Sequence, residues 1–299
     1  MPSWLKRPLP FGSFSSTREI VARSGVATVC EDAKCPNLSE CWSKGTATFM
    51  IMGHDCTRRC SFCAVNTAKP QPLEAGEPER LALAVAEMGL RHVVITAVAR
   101  DDLADEGAGH FAECVGLMRR HAPDVTVEVL PADFHARREC VAGLVEARPD
   151  IYNHNIETVE RLTPAIRPQA KYKRSLEVLR LVKELHAARC DRADGGEVAE
   201  GGQAMLTKSG IMVGLGETFD ELVATFADLR AVDCDILTVG QYLQPTRTHH
   251  AGVEKFYTPD EFDALADVAR GLGFRYVAAA PFVRSSYNAG DVFEALRDC

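Results

Sequence analysis

The sequence predicts an α/β protein built as an incomplete barrel, with six strand–helix units in a parallel array. Three observations carry that expectation. Beyond Thr46, short β-rich runs alternate with amphipathic helical stretches, the signature of parallel βα connections. Six such runs can be counted, short of the eight that close a barrel. At 299 residues with 46% hydrophobic content, the chain can bury the core of one barrel or of two ordinary domains, and no linker divides it.

Residues 1–45 read as an N-terminal arm followed by a cysteine-bearing segment. The first twenty-five or so carry Pro2, Pro8 and Pro10 and little periodicity, which predicts an extended arm docked by Trp4 and Leu5. Pro36, Asn37 and Gly45 then favour turns over regular structure. Residues 46–257 hold the six strands, expected at 48–52, 93–98, 125–130, 151–155, 211–214 and 236–240. Between them, Leu81, Val85 and Met88 fall on one helical face, and Phe219, Leu222, Val223, Phe226 and Leu229 on another. The stretch CDRADGGEVAEGGQ, residues 190–203, is acidic, glycine-rich and without an apolar face, so it reads as a flexible insertion. In residues 258–299, Thr258, Pro259 and Glu261 form a capping box with proline in the first turn. The helix they start should bury Phe262, Leu265, Ala266, Ala269 and Leu272, and the apolar run 276–283 should pack on the same barrel.

The N-terminus has no apolar run of signal-peptide length, and no stretch approaches the roughly 18 apolar residues of a membrane span. A cytoplasmic protein is expected. The net charge of −8, with no basic run, argues against a nucleic-acid partner.

Six of the eleven cysteines form two triplets: Cys30, Cys35 and Cys41 in CEDAKCPNLSEC, and Cys56, Cys60 and Cys63 in CTRRCSFC. Thiolates clustered in a non-secreted chain favour zinc or iron-sulfur chemistry over disulfides. Three ligands leave a tetrahedral metal, or one iron of a four-iron cluster, one ligand short. From the residues alone a zinc knuckle or a lone redox cluster stays open. Cys114 and Cys140 fall among apolar neighbours and read as packed thiols, while Cys190, Cys234 and Cys299 lack companions at ligand spacing. His249 and His250 read as substrate-lining or surface residues rather than metal ligands.

The C-x3-C-x2-C spacing of the second triplet, with Phe62 before its last cysteine, resembles the radical S-adenosylmethionine (SAM) enzymes. The first triplet, C-x4-C-x5-C followed by Trp42, is narrower and resembles the lipoyl synthase family. That resemblance continues through TAVARDDL, YNHNIETVERL, TKSGIMVGLGET, LTVGQYLQPT and PFVRSSY, and so covers almost the whole chain. It implies a partial (βα)6 barrel of the radical SAM type, with N- and C-terminal extensions holding an auxiliary cluster. Two 4Fe-4S clusters and SAM are the implied cofactors. Cys56, Cys60 and Cys63 would hold the SAM-binding cluster. Cys30, Cys35 and Cys41 would hold the auxiliary one, with Ser286 of RSSY as its fourth ligand and as a participant in catalysis.

The resemblance also assigns the SAM contacts. Phe62 would contact the cofactor, Gly214, Gly216 and Glu217 would lie at the adenine, Asn155 and Glu157 at the ribose and methionine parts, and Arg174 at the SAM carboxylate. Taken as residues alone, these remain open to plainer readings: a tight strand-to-helix turn, a helix cap at Asn155, and a solvated helix-end arginine. Residues Arg100 to Leu103 would form a polar floor near SAM or substrate. Glu106 stands where the family usually has glycine, which puts the local loop geometry in question.

The implied reaction is insertion of two sulfur atoms at carbons 6 and 8 of a protein-bound octanoyl group, with the auxiliary cluster as sulfur donor. Implied partners are octanoylated lipoyl carrier domains (glycine cleavage H protein or 2-oxoacid dehydrogenase E2), reduced ferredoxin or flavodoxin, and a cluster-repair protein. Two alternatives share part of the pattern: another radical SAM sulfur-transfer enzyme, and a non-enzymatic two-cluster electron carrier.

Overall fold

The computed structural model describes residues 2–5, 15–32, 35, 37–44, 46–193, 205–246 and 248–286. A short 3-10 turn at Ser3–Leu5 and helix α1 (Ser15–Ser24) precede strand β1 (Ala27–Thr28), α2 (Val29–Asp32) and α3 (Leu38–Ser43). Then come β2 (Thr46–Ile51), the short pair β3 (Asp55–Cys56) and β4 (Asn66–Thr67), α4 (Glu77–Met88), β5 (His92–Ala97), α5 (Ala108–His121), β6 (Thr126–Leu130), α6 (Arg138–Glu146) and β7 (Ile151–Asn153). Helices α7 (Thr163–Ile166) and α8 (Tyr172–Ala193), β8 (Leu206–Val213), α9 (Phe219–Ala231), β9 (Ile236–Gln241), α10 (Pro259–Gly271) and β10 (Tyr276–Ala280) complete it.

One eight-stranded sheet runs in the order β1-β2-β5-β6-β7-β8-β9-β10. Every pairing is parallel except β1 with β2. The six expected strands form its centre. The N-terminal extension adds β1 at one edge and the C-terminal extension adds β10 at the other, so the barrel stays open between them.

Parallel pairing puts registered residues on one face. Phe49, Ile95, Val129 and Tyr152 form such a row and are all fully buried. They join Leu81, Val85, Phe111, Val115 and Leu144 of the helices in the larger core. A second core places Ile211, Val213, Leu237 and Val239 against Leu222, Phe226, Leu229, Phe262 and Leu265. Truncating Phe226 or Phe262 to alanine there would cost about 3–5 kcal/mol. The opposite row faces the lumen and is chemically different, with Thr48 and Val94, Glu128, Asn153 and Lys208, then Gly210 and Thr238.

Several expectations are corrected. The arm is docked as expected, Leu5 being buried and Trp4 Nε1 donating to the Tyr257 carbonyl at 3.2 Å. It is not extended throughout, because α1 packs on α4. In the first triplet Cys30 lies on α2, Cys41 on α3 and Cys35 between them; Asn37 sits in a turn as expected, while Pro36 and Gly45 lie outside the described residues. Strand β8 begins at Leu206 rather than 211, since the polar sequence TKSG hid a strand whose Lys208 is paired inside the lumen. Phe219 and Leu272 sit at helix ends and are exposed. Residues 190–193 continue α8, and the rest of the expected insertion lies outside the described residues. Cys114, Cys140 and Cys234 are buried, the first two as packed thiols. Cys299 lies outside the described residues. Thr258 makes the expected capping box with Glu261.

Candidate functional site

The loops following the parallel strands gather at one end of the sheet, the end where barrel enzymes build their sites. The loop after β2 carries Cys56, Cys60 and Cys63. It is bracketed by the β3–β4 ladder and closed by a Cys63 amide donating to the Cys60 carbonyl at 3.1 Å. The Cys56 sulfur accepts N–H groups from Arg58 at 3.4 Å and Ala99 at 3.3 Å. Burial is the main cause that pushes the Cys60 thiol up to about 12; Arg167 opposes it, and Cys63, Glu157 and Cys56 add to it. The same interactions show that the triplet converges beside Glu157 and Arg167. Burial also raises Cys63. Half-buried thiols of this kind become good ligands when a metal supplies the positive charge that deprotonates them.

Arg58, inside the cysteine motif, is the loop's anchor. Its guanidinium is buried and bonds Asp101 at 2.6 Å and Asp133 at 2.8 Å. Thr57 bonds the Ala99 carbonyl and Asp101 as well. The RDDL segment therefore braces the cysteine loop: Asp101 holds Arg58, and Asp102 holds the buried Arg100. Glu106 adopts φ +54°, the left-handed conformation that explains a glycine preference at this position. Its side chain is tied down by His135 at 2.7 Å and Arg137 at 3.0 Å. Asp101, Glu106 and His135 lie close enough to share a cation, but Arg58 and Arg137 already neutralise them.

After β7, Glu157 is held at φ +65°, its N–H donating to the Gly210 carbonyl and its carbonyl accepting from Met212, both at 2.9 Å. A glutamate in that conformation is strained, a condition that clusters at ligand sites. Burial raises its carboxyl, with Arg167 and Asn155 opposing. Asn155 caps no helix. Its Nδ2 donates to Glu157 at 3.2 Å, while its buried Oδ1 and the buried Nε of Arg167 have no partner among the described residues. His154 beside them is locked by Ser175 and the Pro131 carbonyl, and burial, with Arg167 adding, lowers it to about 4, so it is a neutral strut. Arg174 is engaged with Asp133 at 2.8 Å.

The GLGET turn after β8 divides its labour by residue. Gly214 and Gly216 take φ +103° and +102°. A Cβ at Gly214 would lie 2.4 Å from the Lys255 carbonyl oxygen, so only glycine fits. Glu217 accepts the N–H groups of Gly214 and Leu215 at 2.6 and 2.9 Å, which makes it a positioning residue for the loop. Thr218 caps α9. Phe62 packs with Ile166, Leu215 and Tyr242 in a small apolar cluster above this turn. His250 is tied to the cysteine loop: it bonds the Cys63 carbonyl at 2.9 Å and Thr246.

The first triplet forms its own site. Burial raises the Cys30 thiol, Thr48 opposing and Cys35 adding. The Cys35 amide donates to the Cys30 carbonyl, and the Cys41 amide to Asn37, both at 3.0 Å. Asn37, between Cys35 and Cys41, donates from its buried side chain to the Phe282 carbonyl at 2.7 Å. That bond ties the first triplet to the segment carrying Ser285 and Ser286. Neither serine hydroxyl makes a hydrogen bond among the described residues, and Tyr287 lies outside them.

Sequence reasoning missed Arg58, Asp133, Arg167 and the role of His250. Arg58 was hidden in plain view as a variable letter of the cysteine motif. Asp133 and Arg167 follow strands β6 and β7, which is the one signal that could have found them.

A family model for the radical SAM superfamily matches residues 50–229. A lipoyl synthase from Rubrobacter xylanophilus is 50% identical over 297 residues, covering 99% of this chain and 87% of that one. Among solved structures, methylornithine synthase superposes with a TM-score of 0.54 at 13% identity, over 96% of this chain and 89% of that one. SuiB of Streptococcus suis, bound to S-adenosylmethionine, superposes with a TM-score of 0.56 at 10% identity, over 81% of this chain and 53% of that one. These two likenesses bear on the fold.

Proposed function

The chain belongs to the lipoyl synthase family of the radical SAM superfamily, and from that premise we propose how its residues divide the work of sulfur insertion at carbons 6 and 8 of a carrier-bound octanoyl group. It is a sulfurtransferase that uses SAM and two 4Fe-4S clusters. The observation that carries the reading is the presence of two separate cysteine triplets, the second on the loop after β2 and the first tied to the segment carrying Ser285 and Ser286 through Asn37 and Phe282.

The residues fit these groups. Three soft thiolates in each triplet match an iron-sulfur cluster with one iron left for another ligand. The unpartnered Asn155 Oδ1 and Arg167 Nε, buried beside Cys60, are the acceptor and donor that a ribose hydroxyl and a carboxylate lack. An electron carrier would have no use for them, nor for a strained Glu157. When bound, SAM and its reduced cluster supply a radical able to take hydrogen from an unactivated carbon, and the second cluster supplies sulfur.

The chain's own part is position and exclusion of water. Cys56, Cys60 and Cys63 hold the SAM-binding cluster, on a loop fixed by Arg58. Phe62 and the Gly214–Gly216 turn, shaped by Glu217, receive the adenine. Asn155, Glu157 and Arg167 orient the ribose and amino-acid parts, with Arg174 reaching the carboxylate from its Asp133 anchor. Cys30, Cys35, Cys41 and Ser286 would hold the auxiliary cluster, which would supply the sulfur; Ser286 would offer it a hydroxyl oxygen, a harder donor than the three thiolates. The chain acts on a lipoyl carrier domain; we assign glycine cleavage H protein or 2-oxoacid dehydrogenase E2 as carrier, ferredoxin or flavodoxin as electron donor, and a cluster-repair protein as the source of renewed sulfide. Among the described residues no helix is long and apolar enough to cross a membrane. We place the enzyme in the cytoplasm.

The test is anaerobic incubation with SAM, a reductant and an octanoyl-lysine peptide, followed by mass analysis. Two added sulfurs and one auxiliary cluster consumed per product are expected. SAM cleavage with no sulfur added would reject this assignment.

A further inference from the structure

We propose that the buried Glu128–Lys208 pair is the floor of the acyl channel and sets the length of acyl chain that the enzyme accepts. The inference rests on the reading above, since it names the specificity of that same site.

Four lumen-facing residues carry it. Lys208 Nζ bonds both Glu128 oxygens, at 3.1 and 3.0 Å. Asn153 Nδ2 donates to the same carboxylate at 2.7 Å, and His92 Nε2 stands 3.4 Å from it. Glu128, Asn153 and Lys208 have no exposure at all, and His92 has 1%. Burial would raise Glu128, but Lys208 and His92 outweigh it, so the carboxylate stays ionised. A charged layer thus crosses the lumen over four adjacent strands, β5 to β8.

Its position gives it a function. On the same face, Thr96 and Leu130 are registered neighbours, and they and Met212 are half-buried. One inward row below Leu130, roughly 7 Å along a strand, Glu128 is sealed. Ile151, registered with Glu128, and Ile236, registered with Lys208, pack with Leu206 in a buried apolar cluster against the charged layer. Partial exposure therefore reaches inward as far as the row of Thr96 and Leu130, and the next inward row is sealed and charged. Stability does not require such a layer, because apolar residues of similar volume commonly replace buried ion pairs without loss. Among the described residues Asn153 Oδ1 and His92 Nδ1 also lack hydrogen-bond partners, so the layer favours polar contact over a methyl group. An acyl tip that reaches Thr96 and Leu130 can stop there. Two further methylenes would have to push into the ion pair.

The experiment compares octanoyl-lysine and decanoyl-lysine peptides in two ways: single-turnover sulfur insertion, and equilibrium binding by calorimetry in the presence of SAM without reductant. The wild-type enzyme should favour octanoyl at least tenfold, in line with roughly 10–200-fold discrimination per methylene in a closed pocket. Glu128→Gln/Lys208→Ala removes both charges and opens room, while leaving Asn153 an acceptor. It should narrow that ratio tenfold or more in both measurements. Should it fail to fold, the near-isosteric Glu128→Gln/Lys208→Met carries the same test with a smaller narrowing. No preference in the wild type, or a ratio unchanged within twofold in a folded double variant, overturns the proposal. Wild-type protein that binds octanoyl over decanoyl yet adds no sulfur would count against the sulfur-insertion reading and leave the length selection standing.

Discussion

Asp133→Asn should lower stability by about 2 kcal/mol and loosen the CTRRCSFC loop. Asp133 is fully buried and accepts from Arg58 and Arg174, each at 2.8 Å. Burial alone would raise its carboxyl; the bond and charge of Arg58, with Arg174 adding, outweigh that and hold it down from 3.8 to about 2. The depression corresponds to ~2 kcal/mol at 1.36 kcal/mol per tenfold change. Asparagine keeps the shape and one acceptor, and Arg58 keeps Asp101, so the loss should fall short of the 3–5 kcal/mol of a broken buried pair. The folded pKa is the lowered one. The stabilisation is therefore complete above about pH 4 and is lost as pH falls toward about 2. Calorimetry of the cluster-free chain should give a midpoint about 4 °C below wild type at pH 7, and the gap should close between pH 4 and pH 2. Equal midpoints at neutral pH, or a gap indifferent to acid, would refute the assignment of Asp133 as the charged anchor of the loop.

Alanine at Cys56, Cys60 or Cys63 should abolish reductive SAM cleavage and remove about half of the bound iron, as expected for one four-iron cluster per triplet; cleavage surviving in the triple variant would refute it. Alanine at Cys30, Cys35 or Cys41 should leave cleavage intact and stop sulfur insertion, measured as 5′-deoxyadenosine formed without thiolated peptide. Ser286→Ala should behave like that second group, with Ser285→Ala milder; equal activity of both would argue against a serine ligand. Replacing residues 194–203 by a short loop should preserve turnover within twofold, because α8 runs away from the mouth and β8 starts at the opposite end of the barrel. Lost turnover with both clusters loaded would make that segment a carrier contact.

The strand–helix alternation was legible because it depends on local apolar spacing, which the outward rows such as Phe49, Ile95 and Val129 preserve. The lumen was not. Lys208 and Glu128 look like solvated strand residues in sequence, and only the register of β6, β7 and β8 brings them together. The cysteines were legible since their spacing is itself the geometry of a chelating loop. Arg58 and Asp133 were not, being separated by the whole of α4, β5 and α5 before an ion pair joins them. Phe62, Gly214 and Gly216 were singled out through resemblance, and the structure places Phe62 against Leu215 of the turn that the two glycines shape. The role of Glu217 as a clamp on its own turn needed coordinates, because a carboxylate two residues from an amide can face either way.

The hydrogen bond from Asn37 to Phe282 spans 245 positions of chain, and that separation has a temporal meaning. The three thiols of CTRRCSFC lie within one loop and need only their neighbouring strands to be shaped. The other site needs both margins of the sheet in place, and contacts between distant segments form late because closure entropy must first be overcome. The two centres should therefore mature in sequence during folding, with the sulfur-donating one acquiring its metal last.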